Sequence, residues 1–78
     1  MYPKLIGKRN EKGITQEKMA DMLGISKNNY NQKENGKLDF NLLEVKKILQ
    51  ILESSYNDIF FEEIVTENSY KDALSKKE

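Results

Sequence analysis

The sequence predicts an all-α domain of five short helices, and three observations predict it. Apolar residues recur at the three- and four-residue spacing of a helix, most clearly at Leu42, Val45, Ile48, Leu49 and Leu52. Residues that cap helix starts, Thr15, Ser26 and Asn41, stand just ahead of the periodic stretches. Glycines that end helices, Gly13 and Gly24, close the first and second helices, and no segment alternates as a strand would.

Each element follows from its own residues. Pro3 suits the first position of a helix that runs to about Lys12 and breaks at Gly13, with Ile14 packing at the corner. Thr15 caps a second helix that opens with Gln16 and Glu17 and carries Met19, Ala20 and Leu23 inward. Gly24 ends it, Ile25 drops into the core, and Ser26 caps a third helix at once. After Gly36 a loop leads to Asn41, which with Glu44 forms a capping box, while Phe40 and Val45 are placed as its hydrophobic staple. The stripe from Leu42 to Leu52 then reads as a core-facing helix. Ser55 and Asp58 begin a last short helix carrying Ile59, Phe60 and Phe61. Residues 1–65 are expected to form the domain, and 66–78 a polar, frayed tail.

The third helix has an unusual outer face. With Lys27 at zero and about 100° per residue, Tyr30 falls near 300°, so the side away from the core lies near 120°. Asn35, Asn28, Gln32 and Asn31 cluster about that direction, and Lys27 sits at its edge. Asparagine is a poor helix former, so a face of amides without an acid is unusual for a helix selected for stability alone. Amides match the donor and acceptor pattern of adenine N6 and N7, and lysine reaches guanine O6 and N7. Two helices joined by so tight a turn, the second polar outside, suit a DNA major groove.

These residues resemble the Cro/repressor-type helix-turn-helix family, also called the XRE family, found in phage repressors and Cro proteins. The resemblance is carried by Gln16, Ala20, Gly24, Ile25, Tyr30 and the run Glu34-Asn35-Gly36-Lys37, and it extends from about Leu5 to Phe61. It implies a compact, repressor-like fold with the helix-turn-helix at the second and third helices. It also implies base contacts from Lys27, Asn28 and Gln32, joined by Asn31 from its place on the outer face. Phosphate contacts would come from Thr15, Gln16, Asn35 and Lys37, and Arg9 would clamp the first helix to Glu34. Lys33 departs from the pattern, standing where the family has an apolar or aromatic residue. Its stem is expected to cover apolar surface while its ammonium reaches water.

Composition excludes several classes of function. The 78 residues contain no cysteine and no histidine, which rules out disulfides and thiolate metal sites and removes the usual catalytic base. No phosphate loop, metal-ligand spacing or nucleophile elbow occurs, so neither an enzyme nor a cofactor is expected. No apolar run approaches a membrane span, and a cytoplasmic location is expected. Net charge is zero, but residues 1–37 hold eight basic and four acidic side chains, whereas residues 38–78 hold five and nine. The half that carries the polar helix is the basic half, as phosphate binding requires.

Phe61, Ile64 and Val65 exceed what the end of a small core needs, and with Leu43 and Ile51 they are expected to form a two-fold interface. A homodimer would set two recognition helices in successive major grooves about 34 Å apart on a palindromic operator. The resulting expectation is a transcriptional repressor that binds double-stranded DNA. Alternatives on the same fold are an antitoxin or other partner-binding module, and the controller protein of a restriction-modification system.

Overall fold

A computed structural model describes residues 1–61. They form α1 (Pro3–Glu11), α2 (Gln16–Leu23), α3 (Lys27–Glu34), α4 (Leu42–Leu52) and a closing π-helical segment, Asn57–Phe61. No strand occurs among the described residues. Ile64, Val65, the side chain of Phe61 and the tail 66–78 lie outside them, and so do the expectations placed there.

Local chemistry sets the helix bounds. Pro3 opens α1, where its missing N–H removes no helical bond, and Lys8 and Arg9 in the last turn suit the negative end of the helix dipole. Leu5 and Arg9, one turn apart, both point inward. Thr15 Oγ1 accepts the Lys18 N–H at 3.0 Å to start α2, and Ser26 Oγ accepts the Asn29 N–H at 3.0 Å to start α3. Between them Gly24 adopts φ 75°, and the N–H groups of Gly24 and Ile25 close on the carbonyls of Asp21 and Ala20 at 3.1 and 3.0 Å. A side chain at that left-handed position would cost about 1 kcal/mol, which is why glycine turns this corner.

The core consists of Leu5, Met19, Ala20, Leu23, Tyr30, Ile48, Leu52, Ile59 and Phe60. Phe40 does more than staple the start of α4. Its ring lies 5.6 Å from Tyr2, 6.0 Å from Tyr30 and 6.1 Å from Phe60, so one aromatic joins the N-terminus, α3 and the last segment. The last short helix is π-helical. Ser55 starts it, its Oγ and its carbonyl accepting the Asp58 N–H at 3.2 and 3.1 Å, and Ile59 and Phe60 are buried from it.

The capping box of Asn41 and Glu44 is present, and Val45, Ile48, Leu49 and Leu52 of the apolar stripe lie in the core or against it, while Leu42 does not. Leu42 is 72% exposed, and the buried side runs through Glu44, Ile48 and Leu52. Glu44 is buried beside the stripe, where Lys33 meets it. Leu43 is exposed at 61%. Ile51, expected with it at a two-fold interface, is half-buried, packing in part against the core.

Candidate nucleic-acid interface

Turning α3 outward requires a firm hold on its inner side, and a buried carboxylate supplies it. Glu34, only 2% exposed, accepts four hydrogen bonds. Arg9 Nε donates to Oε2 at 2.8 Å and Arg9 Nη2 to Oε1 at 3.3 Å, while Tyr30 Oη donates to Oε2 and Gln16 Nε2 to Oε1 at 2.8 and 2.7 Å. Arg9 Nη1 also donates to the Ile14 carbonyl at 2.7 Å. One carboxylate thereby ties α1, the corner before α2, the start of α2 and the end of α3 into a single unit. A buried charge persists only with partners such as these.

The electrostatics follow from the same contacts. Burial alone would raise the Glu34 carboxyl, but the hydrogen bonds from Arg9, Gln16 and Tyr30, together with the guanidinium charge, hold it below its ordinary 4.5. Burial first, and then the neighbouring Glu34 carboxylate, push the Tyr30 phenol above its ordinary 10.0. A carboxyl depressed in the fold stabilises it fully above the unfolded value and loses that contribution as pH falls toward the folded value. Acidification below about pH 4.5 is therefore expected to erode stability through Glu34. Carbon-13 titration of the side-chain carboxyls checks this. The Glu34 midpoint should lie below its ordinary 4.5, and a midpoint at or above that value would contradict the arrangement.

The outer face carries the remaining candidates. Lys27, Asn28, Asn35 and Lys37 are exposed, and Asn31 and Gln32 are half-buried. Among the described residues Lys27 and Lys37 have no ion-pair partner, and the side chains of Asn28 and Gln32 make no hydrogen bond. Asn31 and Asn35 differ. Asn31 Nδ2 donates to Gln16 Oε1 at 3.2 Å, and Asn35 Nδ2 donates to Asn31 Oδ1 at 3.2 Å. Thr15, Gln16 and Lys27 come together on one shallow depression at the start of α2, although they lie on different elements.

One expectation is corrected here. The Lys33 ammonium does not reach water but sits 2.7 Å from each Glu44 carboxylate oxygen, with side-chain exposures of 12% and 8%. Glu44 Oε1 also accepts the Asn41 N–H at 2.9 Å. The pair fixes the end of α3 against the start of α4. Its signal in the sequence was the coincidence of a lysine on the core flank of α3 with a capping-box glutamate, which helical periodicity alone could not join. Periodicity likewise gave no sign that Gln16 would stand between Glu34 and Asn31.

A family model described as helix-turn-helix matches residues 6–59, more than half of the chain. Comparison with curated proteins and with solved structures gives no match. No helix among the described residues is long and apolar enough to cross a membrane.

Proposed function

The chain belongs to the helix-turn-helix family of DNA-binding regulators, and from that membership we propose that it is a repressor that binds a palindromic operator as a homodimer. The observation that carries this reading is the outer face of α3. Lys27 and Asn28 stand exposed there and Gln32 half-exposed beside them, free of intramolecular partners, on a helix locked from behind by Glu34. Side chains presented rigidly, with donors and acceptors unused, are what base recognition needs. In this reading Lys27, Asn28 and Gln32 meet base edges, and Thr15, Gln16, Asn35 and Lys37 hold the phosphates on either side. The exposed leucines Leu42 and Leu43, at the start of α4, support association through an apolar surface; Phe61, Ile64 and Val65 are the other residues we assign to the two-fold contact. Occupancy of an operator would then block polymerase by overlap.

Selection of duplexes from a randomised pool at near-physiological salt tests the proposal. A palindrome with half-sites about one helical turn apart is the expected product. Folded protein that selects no sequence would overturn operator binding and turn attention to a protein partner. On the selected duplex, Gln32→Ala or Asn28→Ala should cost roughly 1 to 3 kcal/mol and relax preference at one base pair. Lys37→Ala should weaken binding to all sequences alike and lower the salt slope by about one. Equal behaviour of the two classes on selected and scrambled DNA would show that the base readers are misassigned.

A further inference from the structure

Asn31 shares the outer face of α3 with Asn28 and Gln32, yet both ends of its amide are engaged within the protein. Bidentate pairing with adenine uses the oxygen and the nitrogen of one amide together; here both are tied to neighbours, so the Asn31 amide cannot turn toward a base without giving up Gln16 or Asn35. The direction of these bonds is not arbitrary. A carboxylate accepts and cannot donate, so Gln16 must turn its nitrogen toward Glu34 and its oxygen toward Asn31. Asn31 must then meet Gln16 with its nitrogen and offer its oxygen to Asn35, which answers with nitrogen. Reversing any one amide would set oxygen against oxygen or N–H against N–H. Gln16 and Asn35 each retain a second amide N–H, a donor suited to an acceptor-only phosphate.

We propose that Asn31 is a positioning residue: it holds Gln16 and Asn35 so that their free N–H groups meet the DNA backbone, and it reads no base itself. The assignment rests on the docking of α3 in DNA proposed above. Base discrimination then belongs to Lys27, Asn28 and Gln32 alone. The buried carboxylate of Glu34 reaches the DNA surface through three amides, setting their orientation without touching the ligand.

Two measurements on the full chain test this. In the free protein, Asn31→Ala should shift the side-chain NH2 resonances of Gln16 and Asn35 and speed their exchange with water. On DNA, Asn31→Ala should weaken binding about three- to tenfold, the loss expected of one or two hydrogen bonds, to the selected duplex, its single-base-pair variants and a scrambled duplex alike. Added to the double variant Gln16→Ala with Asn35→Ala, Asn31→Ala should weaken binding no further, because Asn31 acts through those two residues alone. A change of about tenfold or more in discrimination at one base pair would make Asn31 a base reader and overturn the proposal. Unchanged Gln16 and Asn35 signals in the variant, with wild-type binding intact, would overturn the proposal while leaving the docking of α3 standing. A wild type that binds neither duplex would remove both.

Discussion

Glu34→Ala is expected to leave the domain largely unfolded at physiological temperature. The substitution removes one acceptor and strands four donor groups, two on Arg9 and one each on Gln16 and Tyr30. Arg9 is itself buried at 7% exposure, so its charge would lack both water and a counter-ion, although the Ile14 carbonyl would still accept from Nη1. Breaking a buried pair in this way costs about 3 to 5 kcal/mol. Small domains are stable by little more than about 5 kcal/mol in total. A thermal melt followed by circular dichroism should show a Tm lowered by roughly 15 to 30 °C, at about 4 to 8 °C per kcal/mol for a domain of this size. A Tm within a few degrees of wild type would mean that the clamp is solvated and adds little. Tyr30→Phe removes only one of the four bonds and should cost about 1 kcal/mol.

The second large effect is expected at the joint between α3 and α4. Lys33→Ala leaves the Glu44 carboxylate buried at 8% exposure without its cation, although the Asn41 N–H still donates to it. The cost should fall near the lower end of the range for a broken buried pair, about 3 kcal/mol. The informative comparison is the double variant Lys33→Leu with Glu44→Gln. Glutamine keeps an acceptor for the Asn41 cap, leucine fills the apolar space of the lysine stem, and neither carries a charge to desolvate. Replacement of a buried pair by matched neutral groups is commonly neutral or stabilising, so the double variant should recover most of the lost Tm. Two small and additive single losses would instead show an exposed pair worth under about 1 kcal/mol.

The helix-turn-helix frame was legible because its signals are local. Thr15, Gly24 and Ser26 satisfy or release backbone groups within four residues of themselves, so their meaning does not depend on what the chain does elsewhere. The polar face of α3 was legible for the same reason, since the order of residues on one helix sets their angles about its axis. Leu42 shows where that logic stops. Its spacing fits the stripe of α4, but what packs against each end of a helix decides how far its inner side extends, and here Leu42 is left exposed while Glu44 is buried. Tyr2, silent in the periodicity, found its role by reaching Phe40 and Phe60 across the fold, with ring centres 5.6 and 5.3 Å away.

The amino-acid sequence by itself determined the helices, their caps, the tight turn and the amide-rich face, because each rests on interactions within a few residues of chain. Tertiary structure alone decided that Lys33 meets Glu44 and not water, that Ile51 packs in part against the core while Leu42 and Leu43 stay outside, and that Gln16 stands between Glu34 and Asn31. Those outcomes depend on which groups face one another across the fold, where hydrogen-bond geometry and exclusion of water fix the partner of every buried polar atom in this network.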